Sequence, residues 1–145
     1  MKTLNIDIET FSDIDIKTGG LYKYVQSPNF EILLFAYSID GAPVEIIDLA
    51  QGEKLPALLF NSLFDESIEK RAYNAPFEWY CLSKFAGKYL SLNQWACTMH
   101  HGLYLGYPAG LAAIGKAIGL PQNKQKMGIG LSLIRKFCIP RKPTK

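Results

Sequence analysis

Leu4-Asn5-Ile6-Asp7-Ile8-Glu9 decides the fold. Apolar and polar residues alternate without a break, the period-2 pattern of a strand with one face buried. Leu4, Ile6 and Ile8 share the inner face; Asn5, Asp7 and Glu9 share the other. Residues two apart on a strand point the same way, about 6.5–7 Å apart along the chain. Asp7 and Glu9 therefore project together from the side that the core does not use. Hard oxygen donors in that arrangement suit Mg²⁺ or Mn²⁺. A solvent-facing strand shows the same pattern, because most carboxylates are simply exposed. A second cluster is needed to tell the two apart.

The elements that follow are legible in outline. Phe11 to Phe30 reads as a long connection, with Gly19-Gly20, Pro28 and aromatic residues at Tyr22 and Tyr24. Glu31 to Ile39 is a near-continuous apolar run, which fits a central strand. Asp40-Gly41 is a hairpin turn signal, and Val44 to Asp48 is the returning strand. Leu55 to Leu63 reads as a helix with Pro56 near its start. A strand is expected over Ser67 to Tyr73, a helix over Pro76 to Phe85 and a short strand over Gln94 to Thr98. Three helical patterns follow, over Met99 to Leu105, Leu111 to Ile118 and Ile129 to Phe137. Antiparallel strands, then alternating helices and strands, then helices predict a mixed α/β layout with helices packed on a sheet. The length of 145 residues fits one domain, residues 1–145.

The second cluster is Asn74-Ala75-Pro76-Phe77-Glu78, where a strand end meets a helix start. Asn74 is placed to cap that helix. Glu78 falls in its first turn, near the positive end of the helix dipole. By itself this is an ordinary capping arrangement.

Taken together the two clusters make a resemblance. Asp7-Ile8-Glu9-Thr10 is similar to the first motif of the DEDD-type 3′–5′ exonucleases, the proofreading nucleases with a ribonuclease-H-like fold. Asn74-Ala75-Pro76-Phe77-Glu78 resembles their second motif, with Glu in place of the usual Asp. The text also looks like the amino-terminal part of phage-type family A DNA polymerases. Tyr22-Lys23-Tyr24, Phe30 to Ser38, Trp95-Ala96-Cys97-Thr98-Met99, Leu111 to Leu120 and Phe137-Cys138-Ile139-Pro140 carry that likeness.

The resemblance implies a ribonuclease-H-like mixed sheet, with antiparallel strands 1-2-3 plus parallel strands. It implies two-metal hydrolysis at a DNA 3′ end, with Mg²⁺ or Mn²⁺ as cofactor. Asp7 would bridge both metals, Glu9 would help hold one and Glu78 would serve the other. Thr10, Asn74 and Phe77 would lie against the nucleic acid. The family completes its site with a final Asp in a third motif, yet no acid follows Glu78. The domain is accordingly expected to be incomplete at its C-terminus and impaired in cleavage. The partners so implied are a single-stranded DNA 3′ end and a remaining polymerase segment, in cis or in trans. Self-association through an uncovered edge is a further expectation. The alternative is a catalytically inactive module that binds single strands or docks on a polymerase.

Charge supports a polyanion partner. Up to Glu78 there are 13 acidic and 6 basic residues, net −7; from Trp79 onward there are 10 basic residues and no acid, net +10. Lys124, Lys126, Arg135, Lys136, Arg141 and Lys142 are the expected phosphate contacts. The same segregation also serves neutralisation across one fold. No apolar run approaches the roughly 18 residues that span a bilayer, and no membrane partner is expected. Three scattered cysteines, Cys81, Cys97 and Cys138, fit reduced thiols in a cytoplasmic protein. Cys97 and His100 have ligand-like spacing without a second pair, which is weak support for zinc. His101 is a candidate substitute for a general base by its presence alone. Trp79, Tyr80 and Phe85 stand at helical spacing and are expected in the core.

Overall fold

The computed structural model describes residues 1–140, so Arg141 and Lys142 lie outside the described residues. The elements are β1 (Thr3–Phe11), α1 (Ile16–Gln26), β2 (Glu31–Ile39), β3 (Glu45–Asp48), α2 (Ala57–Ser62), β4 (Glu69–Ala72), α3 (Pro76–Phe85), β5 (Trp95–Cys97), α4 (Thr98–Tyr104), α5 (Leu111–Ala117) and α6 (Gly128–Phe137). The five strands form one sheet in the order β3-β2-β1-β4-β5. β1 sits at its centre, antiparallel to β2 on one side and parallel to β4 on the other. β2–β3 is antiparallel and β4–β5 parallel, so the expected mixed sheet is present.

The alternation of β1 is realised in its burial. Leu4, Ile6 and Ile8 are buried, joining Val25, Phe35 and Leu82 in one hydrophobic cluster. Phe35, directly opposite Ile8 on β2, is fully buried. Phe35→Ala is expected to cost roughly 3–5 kcal/mol of unfolding free energy, because a core relaxes only partially into the void left by a large side chain. A urea midpoint unchanged from the native chain would contradict this placement.

The turn at Asp40-Gly41 has φ of 50° and 81° at its two central residues, the left-handed pair that a tight hairpin requires. The Asp40 carboxylate also accepts the backbone N–H groups of Lys2 (2.8 Å) and Thr3 (2.7 Å), tying the turn to the start of β1.

The reading of Phe11 to Phe30 as a bare connection fails. The connection between Phe11 and Phe30 contains a helix, α1, which buries Tyr24 and Val25. Asp15 caps it by accepting from the Lys17 N–H at 2.8 Å. Gly20 interrupts it with φ 76°, ψ 163°. That kink breaks the 3.6-residue period over which a helix is recognised, and Gly is a poor helix former. α1 is fastened to the end of β1 by two bonds, Thr10 Oγ1 with the Tyr24 hydroxyl and the Ser12 hydroxyl donating to the Tyr24 carbonyl, each 2.8 Å.

Of the aromatics expected in the core, Trp79 and Tyr80 pack against it half-buried, whereas Phe85 is 43% exposed. α6 contains no buried residue and leaves Ile129, Leu131, Leu133 and Phe137 open. Among the described residues, no helix is long and apolar enough to cross a membrane.

Candidate active site

Asp7 and Glu9 leave β1 on the face opposite Leu4, Ile6 and Ile8. Just beyond them the β1–β2 register slips: Glu9 pairs with Leu34, and Thr10 with Ile32. A bulge of this kind adds twist and re-aims the side chains beside it. Thr10 turns inward and is buried, its hydroxyl engaged by Tyr24.

Glu78 comes from the β4–α3 connection. Asn74 adopts φ 70°, a left-handed conformation that Asn tolerates better than most residues. The expected side-chain cap is absent: Ala75 occupies the cap position, and the Asn74 carbonyl accepts the Phe77 N–H at 3.0 Å. Asn74 therefore acts through its backbone, reversing the chain so that α3 can begin at Pro76, where a missing N–H costs nothing. Glu78 lies in the first turn and is only 3% exposed. Burial dominates its carboxyl, pushing it up to about 8; its own backbone N–H opposes this and the charge of Asp7 adds to it. One oxygen, Oε2, is buried with no hydrogen-bond partner.

The three carboxylates feel one another through Asp7. Its charge raises both Glu9 and Glu78. Asp7 is exposed by surface area, yet the surrounding chain desolvates it enough to lift its own carboxyl above the usual range. Desolvation is also the largest influence on Glu9. Two groups from the C-terminal segment answer this charge. The Cys138 thiol donates to Glu9 Oε2 at 3.8 Å, and Lys126 lowers both Asp7 and Glu9 by its positive charge. The sequence offered no signal for the Cys138 contact, which joins residues 129 apart.

Among the described residues, no three His, Cys, Asp or Glu side chains converge into a group that would hold an ion alone. The donor set still fits a hard divalent cation. It consists of carboxylate oxygens, one of them orphaned and buried. Mg²⁺ is commonly held by one or two carboxylates, with waters and substrate phosphates completing its shell.

The other expected contacts are dispersed. Phe77 is half-buried, its ring centroid 6.3 Å from that of Tyr24. Lys124 and Lys126 are exposed around the turn before α6, and Arg135 and Lys136 are exposed near its C-terminal end. Lys136 lies over the Phe137 ring, 5.2 Å from its centroid. His101 is exposed on α4, and no contact among the described residues brings it to the carboxylates. Cys97 and His100 line a cleft beside α3 without forming a metal cluster.

Comparison with known proteins agrees with this architecture. No family model matches the chain. It is 49% identical over all 145 residues to the DNA polymerase of Bacillus phage SP02, and spans 22% of that protein's length. Among solved structures it is similar to the nuclease NrnC of Brucella melitensis bound to pGG, with TM-score 0.62 and 17% identity over 88% of this chain and 57% of that one. It is also similar to Trypanosoma brucei RNase D in complex with RNA U12, with TM-score 0.62 and 15% identity over 91% of this chain and 43% of that one. The chain is thus similar over all its 145 residues to part of a phage DNA polymerase and shares the α/β fold of NrnC and RNase D.

Proposed function

We propose that this chain is the 3′–5′ exonuclease domain of a phage DNA polymerase, removing nucleotides from a single-stranded DNA 3′ end. One observation supports it most: Asp7 lies within electrostatic reach of both Glu9 and Glu78, which come from different elements. Three carboxyl groups brought together are costly to ionise in the free protein. A site that keeps them together is suited to cationic partners. Asp7, Glu9 and Glu78 are the residues that would hold Mg²⁺ or Mn²⁺, the former being bound in a structure of NrnC. Such ions, when bound, lower the pKa of water and stabilise a leaving oxygen.

The chain's own residues set the geometry. The end of β1 carries Glu9, the left-handed turn at Asn74 delivers Glu78, and the Cys138 thiol restrains one oxygen of Glu9. Lys124, Lys126, Arg135 and Lys136 supply positive charge for the phosphate backbone. The test is a 5′-labelled single-stranded oligonucleotide incubated with Mn²⁺. Shortening from the 3′ end by single nucleotides is expected, and none with chelator. Internal cleavage, or shortening from the 5′ end, would defeat the proposal.

A non-cleaving single-strand-binding module is the second reading. It rests on the basic segment from Trp79 onward, whose charge can hold a strand without cleaving it. Binding without nucleotide release in any divalent metal would select it. Both readings share one expectation. Single-strand affinity should fall with salt, and replacing Lys124, Lys126, Arg135 and Lys136 by Gln should reduce the salt slope by up to about 0.7 per residue. An unchanged slope in a filter-binding titration would remove these residues from the interface.

A further inference from the structure

A cleft of about 400 Å³ opens beside the turn that delivers Glu78. Pro76, Trp79 and Tyr80 of α3 line it together with Leu92, Trp95 and His100. None of these six residues belongs to the carboxylate site. The volume falls within the range of small-ligand pockets, which are mostly apolar with a few polar groups. Trp79 is fixed in place: its indole N–H donates to the Leu90 carbonyl at 3.0 Å, and its ring stacks on Tyr89 with centroids 5.5 Å apart and planes 15° apart. Trp95 differs. Its indole Nε1 is buried without an acceptor, which is unusual for a group that can only donate.

We propose that this cleft is a nucleobase subsite, taking an unpaired base of the strand whose 3′ end lies at the carboxylates. Two features select that occupant. Trp79, Tyr80 and Trp95 put three aromatic side chains on its lining, and stacking on aromatic side chains is the general way of holding a single-stranded base. Ala75 and Pro76, which line the cleft, also belong to the Asn74–Glu78 turn, so a strand reaching Glu78 passes beside it. The proposal rests on the exonuclease reading only for which end of the strand is near. Occupancy of the cleft by a base is a separate matter and is measured without metal.

Trp79 and Trp95 are the chain's two tryptophans, and both line the cleft. Tryptophan fluorescence therefore reports on this place and no other. In chelator, titration with a short single-stranded oligonucleotide is expected to quench it. An abasic oligonucleotide of equal length and charge is expected to bind about tenfold more weakly and to leave the fluorescence almost unchanged. That factor corresponds to about 1.4 kcal/mol, within the range of one stacked base. Leu92→Glu, at an exposed rim position, is expected to abolish the quench while the basic residues still bind the strand. His100→Ala, also exposed, is expected to reduce it. Equal quenching by abasic and base-bearing strands would overturn the proposal and leave the cleft as a surface for a protein segment. So would a quench that Leu92→Glu does not alter. Neither outcome touches the exonuclease reading, which stands or falls on 3′-end shortening in Mn²⁺.

Discussion

Asp7→Asn is expected to lower nucleotide release in Mn²⁺ by at least ~10³-fold, with little change in strand affinity. The argument is one of position. Of the three carboxylates, Asp7 alone acts on both others, raising Glu9 and Glu78 by its charge. It is thus the group through which two cations would share a ligand. Removing its charge leaves Glu9 and Glu78 on separate elements with nothing between them. A 10³-fold loss is about 4 kcal/mol of transition-state stabilisation. The proposed phosphate contacts lie elsewhere, on the turn before α6 and on α6 itself, so binding to the strand should survive. Calorimetry with Mn²⁺ gives the second readout: the heat seen with the native chain is expected to vanish in Asp7→Asn. Release that falls less than tenfold, or equal heats from the two chains, would remove Asp7 from the centre of the site.

The strand that carries Asp7 was fully legible. Strict alternation has one structural solution, and a shift by one residue would have buried both carboxylates. The hairpin at Asp40-Gly41 was legible for the same local reason: two positive φ angles demand residues of that kind. Helix α1 was not, because Gly20 breaks the pattern that announces a helix and the tie to Tyr24 is tertiary. The role of Asn74 was half legible. The residue type suited both a side-chain cap and a left-handed turn, and only the backbone geometry chose between them. Of the site, the two clusters could be named, but not their mutual reach. The Cys138 thiol and the Lys126 charge came from the far end of the chain, where no local rule applies. The burial of Glu78 was equally hidden. A carboxylate in a first helical turn is normally a solvated helix-end charge, and here it is 3% exposed.

That burial sets the second large effect: without metal, the chain should lose stability as pH rises from about 4.5 to about 8, and Glu78→Gln should abolish most of that loss. In the folded chain Glu78 keeps its proton to about 8; in the unfolded chain it releases it near 4.5. Between those values the folded state binds more protons than the unfolded one, so stability falls with pH. At about 1.4 kcal/mol per unit the difference amounts to several kcal/mol. Asp7 and Glu9, also raised, act in the same direction. Asp13, Asp40 and Asp65 are lowered, and their contribution is lost only below the ordinary carboxylate range, under this window. Lys70, lowered to about 8 by burial, acts above it, where its early loss of a proton adds stability. Urea unfolding in chelator at pH 5 and pH 8 is the measurement. The native chain should show a clear drop in midpoint between the two, and Glu78→Gln a small one. A drop of equal size in both would show that Glu78 is not the group responsible. Mn²⁺ should reverse the drop in the native chain alone, since an ion that takes Glu78 as a ligand displaces its proton and binds more tightly as pH rises. The variant that folds best at pH 8 is then the one that cannot hold the ion: the instability of the buried acid is the condition under which a cation is drawn to it.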